Sequence, residues 1–261
     1  MQYTISMEKY TEPVGSYSYQ IRPFEADFTG KVPLTVICNY LLNSAGLHAR
    51  ERSFGIDDLL QQHKAWVLSR FRVVMQQYPK RDDYIFVETW VESMQGLFTL
   101  RKFNLLDANK QLLGSASTSW ALIDWDTRKP QRIDEFVKNP PLIPQKECLA
   151  EAPEKIDVPQ PTEKIDTATV KYSDLDILRH LNSVKYIQWV VDTFPVTYLE
   201  NAQLMQFQIN YLAETQYGEE IEIYSAQDHR TWWHELKRKA DNRIICRTQT
   251  VWKGDFFAFT E

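Results

Sequence analysis

Residues 174–195 read DLDILRHLNSVKYIQWVVDTFP, and this stretch decides the fold. From Asn182 to Phe194, Val184, Ile187, Val191 and Phe194 recur at spacings of three and four, as one buried helix face requires. Asn182 or Ser183 is placed to cap the first turn, because a short polar side chain accepts from an N–H with no partner inside the helix. Pro195 ends the helix. A strand pattern precedes it in EKIDTATVKYSD (163–174). Four more follow, in LMQFQINYLAE (204–214), EIEIYSAQD (220–228), WWHELKRKAD (232–241) and RIICRTQTVWK (243–253).

The first half has the same order. SYSYQIRPF (16–24) alternates like a strand. A helix is predicted from Pro33 to Arg50, with Leu34, Ile37, Leu41, Ala45 and His48 on one face and Pro33 in the first turn. A short helix over IDDLLQQH (56–63) leads into strands at 65–78, 84–93, 97–107 and 112–124. The halves superpose at three places. Asp27–Lys31 falls on Asp176–His180, an offset of 149. Asp82-Asp83 falls on Gly218-Glu219, an offset of 136. Thr118–Trp120 falls on Thr250–Trp252, an offset of 132. So long a period indicates a duplicated domain, since solenoid units are shorter. One strand, one long helix and a run of antiparallel strands is an α+β pattern in which the sheet buries its apolar face on the helix. The expected fold is two tandem hotdog domains, each an antiparallel sheet wrapped around a long central helix. Six of the 12 prolines lie between Pro140 and Pro161, and proline resists helix and sheet interiors alike. The expected division is an N-terminal domain 1–139, a linker 140–161 and a C-terminal domain 162–261.

Composition narrows the function. The chain of 261 residues is 43% apolar and 25% charged with net charge −5, ordinary for a globular protein. Its mild acidity argues against a nucleic-acid partner. Cys38, Cys148 and Cys246 form neither a disulfide framework nor a zinc pattern. No apolar run reaches the roughly 18 residues of a membrane span, and the N-terminus lacks a signal-peptide pattern. The expected setting is the cytoplasm. No G-x-S-x-G elbow, G-x-G-x-x-G or Walker A motif occurs, and no metal or cofactor is expected.

The densest chemical signal is again 174–189, where a strand ends and a helix begins. A helix N-terminus offers free N–H groups to a developing oxyanion. Asp176 and His180 there are placed to bind, orient or deprotonate, or else Asp176 and Asn182 cap the helix and His180 is a loop residue. The stretch resembles the signature of acyl-ACP thioesterases, plant plastid and bacterial, which reads approximately D-L-D-x-N-x-H-V-N-N-V-K-Y-I-x-W. INYLAETQYGE (209–219) is similar to the family's E-Y-R-R-E-C-G stretch. Residues 65–91 resemble its W-V-x-x-R-x-x-V-x-x-Y-P-x-W-x-D-x-V-x-V-x-T-W.

The resemblance runs from Tyr17 to Trp252 and implies release of free fatty acid from an acyl carrier protein; acyl-CoA hydrolysis and a non-catalytic acyl-binding protein are the alternatives. It makes Asp176, His180 and Glu214 the catalytic residues. Thr215 stands at the family's Cys and Leu178 at its Asn, so a backbone N–H, a water or Asn182 would have to replace that amide. Asn182 is a substrate-side candidate with a capping role. Lys31 and Pro33 occupy the places of His180 and Asn182 in the first half, so one active site per chain is expected. The first half would then supply the acyl pocket, with Asn39, Leu42 and Ala45 as lining candidates. The basic run 234–243 is either a solvated hairpin or a place where an acidic carrier could dock, with Arg128, Lys129 and Arg132 as a second such place. Open sheet edges point to a homodimer.

Overall fold

The structure, a computed structural model, describes residues 12–137, 141–160 and 162–254. It divides into two compact units between Pro153 and Glu154. In the first unit β1 (Gly15–Gln20) leads to α1 (Leu34–Arg50) and α2 (Ile56–Leu60). β2 (Lys64–Met75), β3 (Tyr84–Gln95), β4 (Phe98–Asp107) and β5 (Leu112–Asp124) follow, then β6 (Pro130–Gln131) and α3 (Ile133–Phe136). The antiparallel sheet runs β1-β3-β4-β5-β2, with β6 paired to β5. The second unit contains β7 (Glu163–Thr169), α4 (Ser183–Asp192), α5 (Val196–Asn201), β8 (Gln203–Tyr211), β9 (Glu220–Asp228), β10 (Thr231–Arg238) and β11 (Arg243–Lys253). Its order, β7-β9-β10-β11-β8, is that of the first unit strand for strand. The α+β double hotdog is therefore the observed fold.

Helix α1 buries the whole expected face, Leu34, Ile37, Leu41, Ala45 and His48, over a sheet interior that includes Phe71, Val87, Phe103 and Leu105. Each large apolar side chain so buried contributes roughly 1.5–3 kcal/mol. In α4 the buried residues are Val184, Tyr186, Ile187 and Val190; the expected Val191 is half-buried. The helix stops at Asp192, and from Ile187 the next inward position is three residues on, at Val190.

The repeat extends to single hydrogen bonds. Val32 N–H donates to the Pro79 carbonyl at 3.0 Å, and Leu181 N–H to Thr215 at 2.8 Å. Ile21 N–H donates to Asp83 at 2.9 Å, and Val170 N–H to Glu219 at 3.0 Å. The Trp120 indole donates to Thr118 Oγ1 at 2.8 Å, and that of Trp252 to Thr250 Oγ1 at 3.0 Å. All three sequence offsets thus hold in space.

The unit boundary falls inside the proline-rich stretch, whose Pro140 and Pro161 lie outside the described residues, as do the expected boundary at 139 and residues 1–11. Residues 141–153 form a strap on the first unit instead of a free linker. Ile143 N–H donates to Val91, Asn104 Nδ2 to the Glu147 carbonyl, Lys102 Nζ to that of Ala150 at 2.6 Å, and Ser117 Oγ to that of Glu151. On the second unit, Gln208 and Asn210 donate to the Glu154 carbonyl, and Asn210 Oδ1 accepts from Ile156 N–H. A proline-rich segment cannot build a strand ladder. Side chains of the sheets satisfy its buried backbone groups instead.

Candidate active site

The loop before α4 is closed by one carboxylate. Asp176 Oδ1 accepts from Leu178 N–H at 2.9 Å and His180 N–H at 3.0 Å, while Asp176 N–H donates to the His180 carbonyl at 2.8 Å. Arg179 adopts φ +64° to complete the turn. The first unit builds the same loop without a histidine. Asp27 Oδ1 accepts from Thr29 N–H at 2.8 Å and Lys31 N–H at 3.3 Å, Asp27 N–H donates to the Lys31 carbonyl at 2.8 Å, and Gly30 has φ +78°. Asp176 Oδ1 is therefore part of a scaffold common to both units. What the second unit adds is the side chain of His180.

A second loop, after β8, brings Glu214 to that side chain. Glu214 Oε2 lies 3.5 Å from His180 Nε2; the imidazole is 21% exposed and the carboxylate 43%. The approach is fixed by backbone: His180 bridges to Gln216, and Leu181 N–H donates to the Thr215 carbonyl. Lys31 bridges to Lys80 in the same way, which puts Tyr78 at the place of Glu214 and Pro79 at that of Thr215. The histidine–carboxylate pair thus belongs to the second unit. Thr215 is fully buried and accepts the Tyr186 phenol at 2.9 Å; burial pushes that phenol above its ordinary range. The hydroxyl at the family's cysteine position is a packing partner of α4.

Asn182 caps α4, with Oδ1 accepting from Val184 N–H at 2.9 Å. Leu178 contributes its backbone N–H to the Asp176 clamp. Glu214 is held from behind by Arg238, whose Nη2 donates to the Glu214 carbonyl at 2.7 Å. In the basic run Lys237 pairs with Glu235, Lys239 with Glu220, and Arg238 with Glu219 and Asp241. Arg132 pairs with Asp134, and Arg128 lies over the Trp125 ring. His234, counted in the basic run, is fully buried.

Of the lining candidates, all on α1, Ala45 is buried, Leu42 is half-buried and Asn39 is exposed. Two buried histidines lie outside the site. Burial, with Arg101 and Arg52 nearby, lowers His48 from 6.5 to about 3, and burial alone lowers His234 to about 3. Both are neutral at pH 7. Among the described residues no cluster of histidine, cysteine and acidic side chains is arranged to hold a metal, and no helix is long and apolar enough to cross a membrane.

The two units match two family models, the acyl-ACP thioesterase N-terminal domain over residues 13–140 and its C-terminal domain over residues 159–254. The chain belongs to the acyl-ACP thioesterase family. A crystal structure of an acyl-ACP thioesterase from Bacteroides thetaiotaomicron is 32% identical, with TM-score 0.84 over 92% of this chain and 98% of that one. The 12:0-ACP thioesterase from Umbellularia californica, 19% identical with TM-score 0.80 over 94% of this chain and 99% of that one, shares the fold. Among curated relatives, an oleoyl-acyl carrier protein thioesterase of Coriandrum sativum is 25% identical over 80% of this chain. Oleoyl-acyl carrier protein thioesterase 1 of Arabidopsis thaliana is 24% identical over 90% of it. The chain spans 61% of the coriander enzyme and 75% of the Arabidopsis one.

Proposed function

We propose that the chain hydrolyses the thioester of a fatty acyl group on acyl carrier protein and releases the free fatty acid. The observation that carries this reading is the approach of His180 Nε2 to Glu214 Oε2, 3.5 Å, with no counterpart at Lys31 and Tyr78. A thioester demands little more. Its leaving thiol has a pKa of about 8.5 and departs as a thiolate with little acid assistance. In the proposed step the pair orients a water and takes one of its protons while the oxygen attacks the carbonyl carbon. The resulting oxyanion needs an N–H donor. Collapse breaks the C–S bond, and the thiolate takes up a proton. Asp176 supports this route by clamping His180 at both of its backbone groups.

The first unit is the proposed acyl-binding half. Helix α1 has 17 residues against 10 in α4, and past the end of the shorter helix the rings close the interior of the second unit: Phe194 lies 5.2 Å from Tyr198, 5.3 Å from Trp232 and 4.7 Å from Trp252. Thiol release from acyl-ACP of several chain lengths tests the proposal, with His180→Ala and Glu214→Gln as controls. Turnover lost in both variants supports it. Turnover on acyl-CoA but not acyl-ACP moves the substrate to the other carrier. A wild-type protein inert on both leaves an acyl-binding role.

A further inference from the structure

We infer that Arg238 is a positioning residue for the candidate catalytic carboxylate, an inference that rests on the thioesterase reading of His180 and Glu214. The guanidinium reaches three groups around the Glu214 loop. Nη2 donates to the Glu214 carbonyl at 2.7 Å, Nε lies 3.0 Å from Glu219 Oε1, and Nη1 lies 3.1 Å from Asp241 Oδ2. Glu219 itself closes the loop: its Oε2 accepts from Gln216 N–H at 2.9 Å, and Gln216 bridges to His180. Arg238 therefore holds both ends of the segment 214–219, and that segment is paired to the histidine. The Arg238 side chain is 17% exposed, with Glu219 at 27% and Asp241 at 47%.

The duplication separates this role from general scaffolding. Glu219 has a counterpart in Asp83, whose Oδ2 accepts from Lys80 N–H at 2.8 Å, and Asp176 has one in Asp27. Arg238 has none. β10 places Arg238 opposite Ile221, and β4 places Asp107 opposite Ile85 at the same point of the repeat. Asp107 turns to its own hairpin and accepts from Asn109 and Gln111 N–H. The first unit folds the same loop with Asp107 at the position of Arg238, so folding of the loop does not require an arginine there. Arg238 occurs in the unit that carries Glu214, and its shortest contact is to the Glu214 carbonyl. A planar guanidinium can bridge a carbonyl and two carboxylates at once, which an ammonium cannot.

The test is Arg238→Ala and Arg238→Lys in the full chain, with thiol release, melting temperature and amide exchange as readouts. Expected for Arg238→Ala is a fall in kcat of about 100-fold, as for a group displaced by about 1 Å, with KM within a few-fold of wild type. Added guanidinium, well below denaturing concentrations, restores part of kcat, and Arg238→Lys restores less. Exchange at Leu181 and Gln216 N–H quickens, while Leu178 and His180 N–H, clamped by Asp176, stay protected. A kcat within twofold of wild type overturns the inference, and so does a loss that guanidinium does not repair in a protein with wild-type exchange. Exchange is read without substrate. Wild type inert on every thioester, with exchange altered as expected, therefore faults the thioesterase reading and leaves the loop-positioning claim intact.

Discussion

Replacing Asp176 and Asp27 in parallel separates scaffold from chemistry. Each Oδ1 accepts two backbone N–H bonds in the same five-residue turn, at 2.9 and 3.0 Å for Asp176 and at 2.8 and 3.3 Å for Asp27. A hydrogen bond to a charged group contributes roughly 1.5–3 kcal/mol net. Solvent around these half-exposed and exposed loops brings the pair to about 2–3 kcal/mol. Alanine at either position should remove that amount, a fall in melting temperature of about 2–4 °C per kcal/mol at this chain length. Asparagine keeps the acceptor oxygen and loses only the charge, so Asp27→Asn and Asp176→Asn should each cost about 1 kcal/mol. Thiol release then divides them. If Asp176 acts by holding His180, Asp176→Asn retains kcat to within about tenfold, and Asp27→Asn is indistinguishable from wild type. If Asp176 is the nucleophile, a carboxamide cannot form the anhydride and kcat drops on the order of 10⁴-fold or more. A loss of that size, with Asp27→Asn fully active and both proteins equally stable, would refute the scaffold argument.

Acid should weaken the fold through its two buried imidazoles. His48 and His234 bind a proton at 6.5 when unfolded and only at about 3 when folded, so their contribution is complete above pH 6.5 and is lost as pH falls. Between pH 7 and 5 each costs about 2 kcal/mol; denaturant titrations should show it, and His234→Phe should remove about half of the slope. Ala45→Phe puts a ring on the buried face of α1: overpacking of about 1–3 kcal/mol is expected, with turnover of long acyl chains falling far more than that of short ones. Equal loss at all lengths would place the chain elsewhere. Gly114→Ala should destabilise the first unit, because a Cβ there would stand 2.7 Å from both the Val74 carbonyl and Met75 Sδ; unchanged denaturation would contradict the packing described between β5 and β2.

Much of this architecture is legible without coordinates because it is local. Helix α1 and strands β5, β9 and β11 occupy or nearly occupy the ranges that periodicity and turn residues mark, since each buries one face and its apolar spacing records which. The repeat is legible for the same reason: Thr118 and Trp120, like Thr250 and Trp252, are two residues apart and meet each other. His180 and Glu214 could be paired only through resemblance to a family, because 34 residues separate them and nothing periodic joins them.

Three readings had to wait for the tertiary structure. The proline-rich stretch 140–161 has the composition of a linker, yet side chains of β2, β4 and β5 hold residues 141–153 in place, and only the sheet brings those donors together. The run 234–243 has the charge of a docking surface. Strand pairing sets its cations against Glu219, Glu220 and Glu235 and turns His234 inward. Asp176 carries the family's catalytic pattern, but its hydrogen bonds show the same clamp that Asp27 builds beside a lysine. Sequence by itself determined the periodic faces, the duplication and the family, since each is a relation between near neighbours or a motif in one order. Which carboxylate meets the imidazole, and which arginine holds it there, depended on strand register and loop closure, where distances of a few ångströms are set by residues far apart in the chain.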